Sequence, residues 1–192
     1  MAQNRQKDIL RAAREVLSEK GFEATTISEV VARAGVAQGT FYLYFPSKTS
    51  LIEALSKEML EQTLISVNEA VTQASTINEA IEAGVRAAFL VAEQYCDVLD
   101  IVEMRTGLTH SVAYWEQLYE PYYNMIVELI QQGQETGELD PNVNATLAAR
   151  MIVGLVEKAA DDCFLYRPEI NADDYIAEAT RFVQRALNNH IR

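Results

Sequence analysis

Apolar residues recur along this chain at spacings of three and four and almost never alternate at two, so the pattern predicts helices throughout. Ile9, Ala13, Val16 and Leu17 mark one face of a first helix over 4–20, closed at Gly21. Thr26 and Glu29 form a capping box ahead of a short second helix with Ile27, Val30 and Val31 on its apolar face. Gly35 suits the left-handed residue that ends it. A third helix begins at Ala37 or Gln38 and stops at Phe45-Pro46, because proline disfavours helix in the residue before it. Ser47 caps a fourth, whose apolar residues Leu51, Ile52, Leu55, Met59, Leu60 and Leu64 carry it to about Ala74. At 1.5 Å per residue that rod is on the order of 40 Å long.

Thr76 and Glu79 open a fifth helix striped by Ile77, Ile81, Val85, Ala88, Phe89 and Ala92. The less regular stretch 95–109 holds a short helix over 98–106, broken by Gly107. A helix over 111–135 follows, with Pro121 expected to start a new segment or kink it. After the turn at 137–141, the segment 144–166 is apolar around much of its circumference, and 171–191 has a seam at Tyr175, Ile176, Ala179, Phe182, Val183, Ala186 and Leu187. The expectation is an all-α fold of about nine helices. Residues 1–48 form a three-helix head and 49–192 a larger body, with the fourth helix as the mechanical link between them. The last two helices have enough apolar surface to bury one face at home and a second on another copy, which predicts a homodimer through 144–166 and 171–191.

Two short helices joined by a glycine turn make a helix-turn-helix, whose second helix can enter the major groove of DNA. Its exposed side is expected to carry Gln38, Thr40, Tyr42 and Tyr44, with Phe41 and Phe45 buried. Glutamine can pair with adenine, and threonine can meet a base edge or a thymine methyl. Tyrosine hydroxyls and the Lys48 ammonium suit phosphate oxygens. The DNA-contacting set is therefore Thr25, Thr26, Gln38, Gly39, Thr40, Tyr42, Tyr44 and Lys48. Arg5, at the open end of the first helix, reads either as a phosphate or minor-groove contact or as a solvated terminus. The run AGVAQGTFYLYFPSKTSLIEAL resembles the DNA-binding segment of TetR-family transcriptional repressors. It departs from the family pattern at Ala37, where serine often caps the recognition helix, and at Val31, where alanine is usual. The resemblance is specific over roughly 5–60. It implies a dimeric repressor on a palindromic double-stranded operator, released by a small-molecule inducer bound among the body helices.

Charge supports the division. Residues 1–50 hold seven basic and five acidic residues, whereas the remainder accounts for the net charge of −12 with nine basic and twenty-three acidic ones. The head is thus the end that meets phosphate, through salt-dependent contacts. Seven of the sixteen aromatics fall between Phe89 and Tyr123 with acids among them. Such a stripe is what a helical core looks like, and it also suits a lipophilic or cationic ligand. The candidate ligand residues are Phe89, Tyr95, Glu103, Met104, Trp115, Tyr119, Tyr122 and Tyr123. With Arg105 the main basic group nearby and Arg86 further off, a polyanionic acyl-coenzyme A is less favoured. No cofactor, metal or membrane span is implied. His110 and His190 lack ligand neighbours, no catalytic motif argues for an enzyme, and the polar N-terminus points to the cytoplasm. The competing reading is a helical small-molecule-binding or interaction module without DNA binding.

Overall fold

The computed structural model of the protein describes residues 2–99 and 112–188. All the regular elements among them are helical: α1 (Ala2–Ala24), α2 (Ile27–Ala34), α3 (Gln38–Tyr44), α4 (Lys48–Thr72), α5 (Ile77–Gln94), α6 (Val112–Thr136), α7 (Ala145–Asp161) and α8 (Ala172–Leu187). A π-helical turn, Asp162–Tyr166, extends α7. Residues 96–99 begin another helix, and the rest of the helix expected over 98–106 lies outside the described residues. None of the described helices is long and apolar enough to cross a membrane.

The described residues form two compact units. The first takes those up to Met59 together with 95–99; the second takes Leu60–Gln94 and everything from 112 onward. Helix α4 is divided between them, its residues to Met59 counting with the first unit and those from Leu60 with the second.

In the first unit α1, α2, α3 and the start of α4 enclose Ile9, Val16, Val30, Phe41, Phe45, Leu51 and Leu55, all essentially sealed from solvent. Helix α1 is broken at Gly21, whose φ of 72° only glycine adopts without strain. The capping box forms as expected: Thr26 accepts from the Glu29 N–H, and the Glu29 carboxylate accepts from the Thr26 N–H at 3.0 Å. Gly35, at φ 66°, ends α2 in the left-handed region. Ala37 starts α3 with no side-chain cap. Ser47 and Ser50 exchange reciprocal 3.0 Å bonds at the start of α4. Residues 95–99 are pinned here by Arg14, which donates to Asp97 from Nε at 3.3 Å and from Nη2 at 3.1 Å. The same guanidinium lies 3.8 Å over the Tyr95 ring, whose hydroxyl donates to Glu58 at 3.2 Å.

The second unit packs α5, α6, α7, α8 and the later part of α4 around a mostly aliphatic core that includes Val85, Phe89, Ile130, Leu139, Val153 and Val183. Pro121 starts no new segment: α6 is one helix from Val112 to Thr136. Pro121 and Gln117 are both exposed, so the carbonyl that loses its helical donor faces water. Gly137, at φ 78°, turns the chain out of α6. The Leu139 N–H then reaches back to the Gly133 carbonyl at 2.9 Å, and the Asp140 N–H reaches the Leu187 carbonyl at 2.9 Å. Leu139 lies so close to Gly133 that a Cβ there would meet its side chain at 2.6 Å and Ile77 at 3.3 Å. Leu139 is buried, so a Cβ at 133 has to displace a core side chain. Gly133→Ala is therefore expected to lower stability by about 1–3 kcal/mol despite alanine's better helix propensity. Chemical denaturation followed by circular dichroism checks this, and unchanged stability would mean that the 137–143 turn gives way.

Candidate functional site

The outward face of α3 is set by what α3 buries. Phe41 lies inside the first unit, and Phe45 follows it at the C-cap. With successive residues about 100° apart, the opposite face carries Gly39, Tyr42 and Leu43, and Gln38 is exposed in the first turn. Leu43 is 82% exposed and Tyr42 49% exposed. Thr40 and Tyr44 are half-buried on the flanks. The expectation that 38, 40, 42 and 44 share a face followed a period of two, which belongs to strands. Leu43 was missed for that reason, although the buried pair Phe41 and Phe45 was a sufficient signal. Gly39 has open space around the position of a Cβ, so nothing inside the protein requires glycine there.

The remaining expected contacts fall elsewhere. Thr25 is 3% exposed, and its hydroxyl donates to the Gly21 carbonyl at 2.8 Å, so its side chain holds the α1–α2 corner and does not face outward. Thr26 is exposed but serves as the α2 cap. The Lys48 ammonium donates to the Phe22 carbonyl and sits 4.0 Å over the Phe22 ring, so any phosphate must share it. Other cations of the head are engaged too. Arg33 donates to both Glu19 oxygens, at 2.8 and 2.9 Å, and reaches Glu15 at 3.4 Å. Lys20 pairs with Glu29.

In the second unit a cavity of about 50 Å³ lies among α4, α5, α6, α7 and α8. Val71, Ile81, Met125, Ile126, Ile152 and Val183 are among its walls, and of the lining side chains only Tyr122 carries a hydroxyl. Drug-sized ligands occupy roughly 300 Å³ or more, so such a guest enters only if the helices move apart. Of the expected ligand residues, Tyr122 alone lines this cavity. Phe89 is core, with Phe164 at 6.0 Å between ring centroids. Tyr95 belongs to the first unit, beneath Arg14. Trp115 is half-buried, edge-on to Tyr114. Tyr119 and Tyr123 stack at 5.8 Å beside the cavity's Tyr122. Glu103, Met104, Arg105, His110 and His190 lie outside the described residues.

A helix-turn-helix with an open outer face, joined to a helical body with an apolar cavity, is the architecture of a ligand-responsive DNA-binding regulator. The model of bacterial regulatory proteins of the tetR family matches residues 9–55, and that of the Tetracyclin repressor-like C-terminal domain matches 81–187. The chain is 33% identical to the HTH-type transcriptional regulator YvdT of Bacillus subtilis, over 93% of each chain. Its fold matches the fatty acid degradation regulator FadR of Bacillus halodurans with a TM-score of 0.78 at 20% identity, over 97% of this chain and 99% of that one. It matches FadR of Bacillus subtilis, solved with stearoyl-CoA, with a TM-score of 0.73 at 25% identity and the same coverage. The chain belongs to the TetR family, and it is a ligand-responsive DNA-binding transcriptional repressor, not an enzyme.

The head's ion pairs give it an acid limit. The Lys20 ammonium, with the hydroxyl and N–H of Thr26, holds the Glu29 carboxyl down to about 2. A carboxyl depressed on folding contributes stability above its unfolded value near 4.5 and loses it as pH falls toward 2. Glu29→Gln should therefore cost stability at neutral pH, and the gap from wild type should close as pH drops from about 5 toward 2. Urea unfolding across that range measures it; a pH-independent gap would assign Glu29 a purely neutral capping role.

Proposed function

We propose that the protein binds a palindromic operator as a homodimer and leaves it when a small lipophilic molecule occupies the second unit. The observation that carries the DNA half is the outer face of α3, where Gln38, Tyr42 and Leu43 stand clear around a bare Gly39. Glutamine can bond adenine bidentately, the leucine methyls suit a thymine methyl, and Gly39 lets the groove wall come close. Thr40, Tyr44 and Lys48 flank this face and would meet phosphates.

Dimerisation is supported by surface that the single chain leaves uncovered. Leu147, Met151 and Leu155 repeat every fourth residue along α7, with Met151 71% exposed, and Phe182 on α8 is 63% exposed. Gly154 has open space at its Cβ position, so a second helix could approach closely. A two-fold pair of such chains presents two α3 helices to successive major grooves, which favours a palindrome.

The aliphatic cavity supports a hydrocarbon guest, as does the FadR relative with its stearoyl-CoA. The guest can weaken operator binding only by the difference between its affinities for the two states of the protein. Helix α4, whose residues serve both units, is the element we expect to carry that difference.

Selection of bound duplexes from a random pool tests the reading: a palindromic motif is expected, and no enrichment by folded protein would favour a ligand-binding module without DNA binding. With the selected operator, Tyr42→Ala should lose about 1–3 kcal/mol of binding without unfolding the protein. Gly39→Ala should gain up to about 1 kcal/mol of stability yet bind more weakly. Met151→Glu should give a monomer by light scattering and lose operator affinity; a stable dimer would move the interface elsewhere.

A further inference from the structure

The chain passes between its two units at two described points, after Met59 within α4 and after Gln94 at the end of α5. One cluster in the first unit fastens both. Glu58 stands one residue before the first crossing, and Tyr95 is the first residue past the second. The Tyr95 hydroxyl donates to Glu58 Oε1 at 3.2 Å. Arg14, from α1, lies with its guanidinium 3.8 Å over the Tyr95 ring and donates to both Asp97 oxygens, at 3.3 and 3.1 Å. Four side chains thus join α1, α4 and the chain that follows α5.

The cluster is sheltered. Tyr95 and Val98 are buried, and the Asp97 side chain is only 10% exposed. The pairs made by Lys20 and Arg33 lie at more exposed positions. A charge pair out of water is screened less than a surface pair. A two-pronged guanidinium–carboxylate contact fixes orientation as well as distance, which a single ammonium does not. The ring beneath the guanidinium adds a cation–π contact. What the cluster holds has little stability to spare, because α2 and α3 are only eight and seven residues long. Helix α5 supplies Ile77, Ile81 and Val85 to the cavity wall and runs unbroken to Gln94. A guest that displaces α5 therefore moves Tyr95 and Asp97, and α1 is tied to both.

We propose that the Arg14–Asp97 and Tyr95–Glu58 contacts form a clamp that makes the first unit fold and unfold with the second, and that carries a displacement of α5 to α1 by a route separate from α4. The second half rests on the reading that a ligand in the second unit controls the operator; the first half does not. Arg14 lies outside both the outer face of α3 and the cavity lining, and it acts as a positioning residue.

The chain's single tryptophan, Trp115, lies in the second unit. During heating its fluorescence reports that unit, whereas circular dichroism reports helix in both. The two curves of the full-length wild type should coincide. In Arg14→Gln, and equally in Asp97→Asn, helix loss should begin about 5 °C or more before the fluorescence changes. The double variant should do no more than either single one, because both remove the same pair. Wild-type curves that already separate, or variant curves that still coincide, overturn the clamp. Tyr95→Phe, which removes only the hydroxyl, repeats the test if the charge variants fail to fold. With the selected operator bound, the Trp115 transition should rise in the wild type and stay in place in Arg14→Gln. A rise retained in Arg14→Gln overturns the route through α5 and leaves α4 as the carrier. Failure to select any operator sinks the repressor reading, and the heating curves without DNA still decide the clamp.

Discussion

The burial of Phe41 fixes the roll of α3 about its own axis, and with it everything the head can offer to DNA. A buried phenylalanine is worth about 1.5–3 kcal/mol over an exposed one, far more than any single contact on the outer face of so short a helix. Seven residues would not hold a helix in water alone. α3 exists because the first unit supplies the pocket that Phe41 fills, together with the Gly35 turn that sets its direction. Tyr42 and Leu43 are presented by consequence, Tyr42 with its ring edge-on to Phe41 at 5.5 Å.

The second unit is built on the opposite economy of space. Gly133 packs tightly against Leu139 and Ile77 at the α6 turn, and both of those side chains also border the void. The region among α4, α5 and α8 keeps a small apolar void. Close packing resists small displacements and yields by discrete rearrangement, so a guest larger than the void must select another arrangement of the helices.

Local signals were legible in the sequence. Thr26 with Glu29, Gly35 and Ser47 all punctuate the chain as expected, because a cap depends on residues three or four apart. The helix-turn-helix was legible for the same reason, and the family resemblance strengthened it. What failed depended on distant partners or on the wrong period. Thr25 is polar and next to a cap, yet its burial follows from the break at Gly21. Leu43 was lost to a count by twos. Pro121 was expected to start a new segment or kink the helix; it starts none, because a proline on a wet face of a long helix can be carried. The aromatic stripe between Phe89 and Tyr123 did not separate core from cavity: Phe89 went to the core, Tyr95 to the other unit, and the cavity proved aliphatic.

The engagement of Arg33, Lys20 and Lys48 inside the head bears on how the protein finds its site. Cations already held by glutamates or by a backbone carbonyl displace few counterions when DNA arrives, so on the proposed reading these three would add little ion release to binding. Affinity for random sequence should then be low, and the acidic remainder of the chain should lower it further. Such a protein would spend its search in solution, touching DNA briefly and departing, in place of long one-dimensional sliding. Its residence becomes long only where base edges, not phosphates, hold it.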